Sequence, residues 1–515
     1  MPLQRSDVLP LAGLSVLGSL AFIHRMALPV FEDEGSQVRW IYRIIDAHEW
    51  TLPLFDGKPL EAWPMVPLVQ MGLSPLSAMR GLHVVAGIIG AILVYLLALH
   101  VIERRWAFAC GALFAISPFT VYLERLALSD IFMSTSAVWV MLNVLAFTQI
   151  PSARRAVLLA ASLLLVAISK FPIGFEMLVA VPLALLLMPE AARRPLLMQP
   201  ALGKLAAAQM PALLLLLLVI GVAIFRLRRG HAPGFGIQDF IGIGLGQYRE
   251  LAASIGVSRP TLLGELNAQL TWPVTAAGAV GLIGAAVLGE WRQRWLIAMG
   301  VIPLLAIALF ARFWYSRYLL FALPPLLIAA VWGWRSLLSM APVPLRAGGI
   351  ALLGLCAVLM VRQSALLIGD PAAAHWSPLD RFQYVAGWGS GYGYEEAARY
   401  ILNSPAAPAI YSLDGHSAYQ LLAYLPRQWR GRVGSADYDA NGTLLSSPAE
   451  RLANLALRAP VWLVVSKQLL ARYLDASLGH AYADRVQVRE IAEFAKPDGR
   501  TQLALYQLDA RRQNR

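Results

Sequence analysis

Two adjacent carboxylates, Asp33 and Glu34, stand directly behind the first long apolar run, in the stretch Phe31-Glu32-Asp33-Glu34-Gly35. A carboxylate carried from there to a bilayer centre would cost roughly 2.5–3.5 kcal/mol. The pair therefore marks either a place where carboxylates are used or the start of a solvated loop. A third carboxylate, Asp130, closes the turn Leu123-Glu124-Arg125-Leu126-Ala127-Leu128-Ser129-Asp130. Capping the unpaired amides of the helix that begins there and taking part in catalysis are both open to it, and the two roles are compatible. Glu124 beside Arg125 reads as a surface ion pair, which would add little stability. The cations that accompany these carboxylates are Lys58 in Gly57-Lys58-Pro59, Lys170 in Ser169-Lys170-Phe171-Pro172, the run Arg226-Leu227-Arg228-Arg229, and Arg317 in Tyr315-Ser316-Arg317-Tyr318.

One reaction uses this inventory economically. Transfer of a sugar from a lipid phosphate to a hydroxyl needs one general base, for which a single carboxylate suffices. The leaving phosphate is a weak base and needs no protein acid, unlike the paired carboxylates of glycoside hydrolysis. It needs fixed positive charge instead. The eight histidines form no ligand-spaced pair, and the two cysteines, Cys110 and Cys356, lie far apart in apolar runs, so neither a disulfide framework nor a zinc motif is available. Glu34 and Asp130 are the candidates for sharing a divalent ion with the donor phosphate, by hard-cation, oxygen-ligand logic.

Apolar runs position these residues. The chain has 515 residues, 58% of them hydrophobic and 14% charged. Long apolar runs recur at about 8–26, 78–101, 106–122, 129–149, 156–169, 171–189, 205–225, 272–289, 295–311, 318–335 and 346–367, which predicts a polytopic α-helical membrane protein of about eleven spans. No small-residue cleavage site follows Val8 to Phe22, so that run reads as a retained first helix. The net charge of +12 suggests nucleic acid at first. From residue 370 onward, however, 16 Lys/Arg face 14 Asp/Glu, leaving 27 against 17 in the apolar part. The excess therefore belongs to membrane loops. Arg5, Arg104 and Arg105, Arg154 and Arg155, Arg193 with Arg194 and Lys204, Arg292 and Arg294, and Arg335 with Arg346 occupy alternate connections, which the positive-inside rule makes cytoplasmic. The loops bearing the candidate residues then face outward. Within the first of them Trp40, Ile41, Ile44 and Ile45 share one helical face and Arg39, Arg43 and Asp46 another, the pattern of an interfacial helix or of a helix packed on its neighbours.

Past residue 370 short alternating runs replace long ones. Residues 409–413, 461–466, 486–492 and 502–508 predict strands, with helical stretches at 395–402 and 448–458. The division expected is a transmembrane catalytic domain over 1–367 and an extracytoplasmic α/β domain over 370–515. Between them Gly387-Trp388-Gly389-Ser390-Gly391-Tyr392-Gly393 leads into Glu395-Glu396. It lacks the preceding strand and the spacing of a dinucleotide fingerprint, so it reads as a connector with a second role in acceptor contact open to it.

With these residues in this order, the chain resembles the GT-C glycosyltransferase clan, in particular the protein O-mannosyltransferase and lipid A aminoarabinose transferase group. The resemblance rests on Asp33-Glu34, on Trp50 to Leu54 followed by Gly57-Lys58-Pro59, on Glu124 to Asp130, on Lys170, and on Ser316-Arg317-Tyr318-Leu319-Leu320-Phe321-Ala322-Leu323-Pro324-Pro325. It implies that Asp33 is the catalytic base, that Glu34 positions the acceptor or a metal, and that Asp130 is the second acidic position. It further implies that Lys58 meets the donor phosphate and that Arg317 and Tyr318, with Tyr315 beside them, lie near the lipid-phosphate site. Lys170 and the basic run Arg226, Arg228 and Arg229 complete the candidate phosphate ligands. The first loop lacks the longer aromatic stretch that aminoarabinose transferases carry before the lysine, so acceptor and sugar stay open. The expectation is an inverting transferase that takes a sugar from a polyprenyl-phosphate donor to a lipid, glycan or protein at the outer face of a bacterial cytoplasmic membrane, with no nucleic-acid partner. The rivals are a lipid or glycan transporter, against which the absence of inverted repeats and of broken helices at the midplane speaks, with ionisable residues concentrated at one face, an O-antigen-ligase-like enzyme, and a membrane scaffold.

Overall fold

The structure, a computed structural model, describes residues 4–23, 28–55, 57–171, 173–198, 200–228, 262–310, 315–387, 389–405, 408–413, 415–436, 448–467 and 486–510. The chain divides into two compact units: Met1–Met26, Trp50–Met65 and Ala78–Ser377 form the first, and Ala27–Glu49, Val66–Ser77 and Pro378–Arg515 the second.

Apolar helices build the first unit. Among the described residues five helices are long and apolar enough to cross a membrane: Pro75–Ala98, Ser129–Gln149, Gly203–Val222, Leu323–Met340 and Val343–Gly369. The pair Gly174–Leu187 and Glu190–Met198, bent by 118°, makes a sixth if taken as one span. Among the described residues the count stays below the eleven expected from the sequence, for local reasons. The run at 106–122 stops at Ile116, because Pro118 opens a separate short helix, Pro118–Leu123. The run at 171–189 begins as 3-10 turns over Ile173–Val179 before Ala180–Leu187 turns α-helical. Val8–Leu20 and Trp272–Leu288 are apolar but shorter. The Trp272–Leu288 and Leu323–Met340 helices meet backbone to backbone, since a Cβ on Gly333 would fall on the Gly281 carbonyl and one on Gly281 on the Ala330 carbonyl. The Trp334 indole donates to the Ala277 carbonyl across the same contact at 2.7 Å.

A mixed sheet organises the second unit. Strands β1 (Ala409–Ser412), β2 (Val433–Ser435), β3 (Val461–Ser466), β4 (Val486–Ala495) and β5 (Gln502–Ala510) stand in the order β2-β1-β3-β5-β4. β1 runs parallel to β2 and β3, whereas β5 runs antiparallel to β3 and β4. Val461-Trp462-Leu463-Val464-Val465-Ser466 is buried throughout, as a central strand covered on both faces must be. One cluster joins the sheet to the Tyr394–Asn403 and Gly415–Leu422 helices through Ile401, Leu421, Trp462 and Leu503; the other joins it to Pro448–Ala456 through Leu452, Leu463 and Leu508. The expected strands are all present, and β2, three residues long, is the one too short for alternation to reveal.

The same unit contains the Glu32–Ala47 helix, which packs on Gly415–Leu422 so closely that a Cβ on Gly35 would lie 2.5 Å from the Gln420 nitrogen. Arg39 stacks 4.6 Å from the Tyr419 ring, Asp46 accepts from both Arg427 and Arg430, and the Arg430 guanidinium lies 3.1 Å from the Tyr42 ring centroid. Trp40, Ile41 and Ile44 are buried at 8%, 0% and 1% exposure. Trp40, Ile41 and Ile44 are covered by protein, as a helix packed on its neighbours requires, and Ile45 on the same face is half-buried.

Candidate active site

Asp130 is the second residue of the Ser129–Gln149 helix, and its carboxylate does not cap that helix. Its Oδ1 accepts from the Lys170 ammonium at 2.6 Å, with both side chains buried. The first-turn amide of Ser129 donates to Glu61 Oε1 instead. Glu61, itself buried, is a residue the sequence reading missed. Its one signal was a carboxylate three residues beyond Lys58, inside an otherwise apolar and proline-bearing turn.

Lys170 ends the Ala153–Ser169 helix with extended backbone, and the next amide, Phe171, donates to the Gly57 carbonyl at 2.7 Å. Gly57 sits at φ 79°, where a side chain would be strained, and the turn is closed by the Lys58 amide on Pro53 at 2.9 Å and the Glu61 amide on Lys58 at 3.0 Å. Lys58 is thereby tied by main chain to Lys170. From the other side the Ser134 hydroxyl donates to the Leu320 carbonyl at 3.2 Å, which fixes the Ser316–Leu319 turn to the Ser129–Gln149 helix. In that turn the Lys170 ammonium lies 4.6 Å from the Tyr318 ring, and the Arg317 guanidinium lies 5.0 Å from Tyr315 and 5.7 Å from Tyr318. Tyr315 and Tyr318 meet edge to face at 5.7 Å.

Burial pushes the Lys170 pKa down from its usual value, Asp130 pushes it back up, and the positive charges of Arg317 and Lys58 lower it further. Lys58, Lys170, Arg317, Tyr315, Tyr318 and Asp130 thus form one group in the first unit, in which cations outnumber carboxylates. The ion pair expected between Glu124 and Arg125 at the surface is not what the structure contains. Both residues are fully buried, and neither Glu124 oxygen accepts a hydrogen bond among the described residues. Burial raises the Glu124 carboxyl well above the usual carboxylate range.

Asp33 and Glu34 lie in the second unit, in the first turn of the Glu32–Ala47 helix. Glu34 is fully buried, and its Oε2 accepts from the Phe31 amide at 2.9 Å, closing the helix start. Asp33 is half-buried and is the more accessible of the two. Arg226 and Arg228 end the Ala201–Arg228 helix beyond the described side chains, and Arg229 lies outside the described residues altogether. Among the described residues no three His, Cys, Asp or Glu side chains gather as a metal site requires. Glu34 Oε2 accepts from the Phe31 amide and Asp130 Oδ1 from the Lys170 ammonium, and no step is derived through an ion.

No family model matches the chain, and no curated protein matches it by sequence. The fold has solved counterparts. ArnT from Cupriavidus metallidurans bound to undecaprenyl phosphate superposes with a TM-score of 0.58 at 13% identity, covering 97% of this chain and 98% of that one. The oligosaccharyltransferase of Archaeoglobus fulgidus gives 0.55 at 12% identity, over 96% of this chain and 74% of that one. The arabinofuranosyltransferase AftD from Mycobacteria gives 0.53 at 15% identity, over 100% of this chain and 40% of that one. These are GT-C glycosyltransferases, and the fold of the chain is theirs, as the resemblance in sequence order implied.

Proposed function

We propose that the protein is an inverting glycosyltransferase that moves a sugar from a polyprenyl-phosphate donor to a hydroxyl on a lipid, glycan or protein. The observation that carries this reading is the buried group around Lys170. The positive charges of Lys58 and Arg317 act on Lys170, which pairs with the Asp130 carboxylate, an arrangement suited to a phosphate and to the charge that grows on it. The GT-C fold, shared with a protein solved with undecaprenyl phosphate bound, is consistent with a lipid-linked donor. Asp33 is assigned as the base. It takes the acceptor hydroxyl proton while the oxygen attacks the sugar C1; the C1–O bond to phosphate breaks, and the electron pair leaves on polyprenyl phosphate. Attack opposite the leaving group inverts the anomeric centre. Arg317 and Lys58 stabilise the departing phosphate, Lys170 holds position between Asp130 and Tyr318, and Tyr315 borders Arg317. The loops that carry these residues face the outside of a bacterial cytoplasmic membrane by the distribution of basic clusters in the sequence.

Transfer of radiolabel from a panel of polyprenyl-phosphate sugars to extracted lipid and protein fractions tests the reading. Asp33→Asn is expected to abolish transfer while leaving the folded protein and donor binding intact. Near-normal turnover by the purified variant would remove Asp33 from the base role. Arg317→Ala is expected to lower kcat by about 10²–10³-fold, the usual loss when one donor to a developing oxyanion is deleted.

A further inference from the structure

The glycine-rich stretch behind residue 386 has a structural job that its sequence did not reveal. Lys496, 2% exposed, directly follows β4 and puts its ammonium against that stretch. It donates to the Gly387 carbonyl at 2.5 Å, to the Ser390 hydroxyl at 2.9 Å and to the Ser390 carbonyl at 3.5 Å, which matches the three donors of an ammonium. The loop is thereby turned so that the Gly389 carbonyl accepts from the Glu32 amide at 3.2 Å, the residue next to Asp33. Gln420 Nε2 bridges the same carbonyl at 2.8 Å to the Val30 carbonyl at 2.9 Å, and the Val30 amide donates to the Tyr424 hydroxyl at 2.9 Å. Gly391 admits no side chain, because a Cβ would collide with the Val30 backbone. Phe31 completes the clasp with its ring 5.1 Å from Tyr384. Every group in this chain belongs to the second unit.

We propose that Lys496 is a positioning residue for transfer. Through Gly387, Gly389 and Ser390 it holds residues 30–32, and so the first turn that carries Asp33. This rests on the reading of Asp33 as the base. A carboxylate displaced by about 1 Å can lose on the order of 10²-fold in rate, so the ammonium acts on kcat without touching a substrate.

Hydrogen exchange on the full-length protein in detergent, read by mass spectrometry, tests the tether without any substrate. In Lys496→Met the amides of residues 30–36 are expected to exchange at least tenfold faster while those of β3 and β5 keep their protection, and Lys496→Arg is expected to restore most of the difference. With an undecaprenyl-phosphoryl sugar that the wild type consumes, Lys496→Met is expected to lower kcat by about 10²-fold at unchanged donor KM. Unchanged exchange at 30–36, or loosening spread evenly over the sheet, overturns the proposal. If Lys496→Met does not fold, Gln420→Met removes the amide bridge alone, and the same local loosening is expected. Loss of the folded protein in both variants overturns the positioning role in favour of a purely structural one. Full turnover by Asp33→Asn would overturn the base reading separately, and the exchange result would still stand on its own.

Discussion

Burying the Lys170 ammonium at 7% exposure carries a desolvation cost of several kcal/mol, and the Asp130 carboxylate at 2.6 Å offsets it. Removing one partner leaves the other charge buried and unanswered. Lys170→Met is therefore expected to destabilise by about 3–5 kcal/mol, and Lys170→Met with Asp130→Leu by distinctly less, in thermal unfolding of the detergent-solubilised protein. Equal losses in the single and double variants would show that the pair is not coupled. Glu124 poses the opposite case. Its folded pKa is raised by burial, so the folded state keeps a proton that the unfolded chain releases above about pH 4.3. The stability this gives is present in acid and is lost as pH rises from there toward the folded value. Glu124→Gln lacks that loss, and its unfolding temperature should gain on wild type between pH 5 and pH 8. A variant that falls behind at pH 8 would mean that Glu124 is ionised and paired with Arg125.

At the scale of elements, small residues decide where helices meet. Gly281 and Gly333 bring Trp272–Leu288 and Leu323–Met340 into backbone contact, and apolar side chains give no hydrophobic preference for one helix over lipid, so close packing is what holds such a pair together. Gly333→Leu is expected to cost about 1–3 kcal/mol through overpacking, visible as a lower unfolding temperature, whereas Gly278→Leu, with open space at its Cβ, should be near neutral. Elements were also where the sequence was most readable. Apolar length located the Pro75–Ala98, Ser129–Gln149, Leu323–Met340 and Val343–Gly369 spans, and alternation located four of the five strands. It failed where a single proline cut a run, as at Pro118, and where amphipathicity had two physical explanations, as in Glu32–Ala47. Residue types alone pointed to Asp130, Lys170 and Arg317, but their pairing was hidden. Forty residues separate Asp130 from Lys170, and burial, which distinguishes an anion site from surface charge, is set by tertiary packing.

At the scale of the molecule, the second unit is assembled from distant parts of the chain, with Ala27–Glu49 built onto Pro378–Arg515. The Glu32–Ala47 helix contributes the backbone against which Gln420 packs, the carboxylate that Arg427 and Arg430 share, and the Tyr42 ring under Arg430. The Arg427–Asp46 pair is largely exposed and counts for little. The buried contacts at Gly35 and the amide bridge from Gln420 count for more, since an unmet buried amide costs about 1–3 kcal/mol. Residues 378–515 expressed alone should therefore unfold at a lower temperature than a fusion in which residues 27–49 are joined to them by a flexible linker. Circular dichroism on the two fragments checks this. Equal unfolding temperatures would mean that the sheet and its own helices suffice, and that the acidic turn is held by the C-terminal region without holding it in return. A higher temperature for the fusion would make the coupling mutual, so that a substitution in the sheet core, such as Leu503→Ala, would loosen the turn bearing Asp33 as well as the sheet.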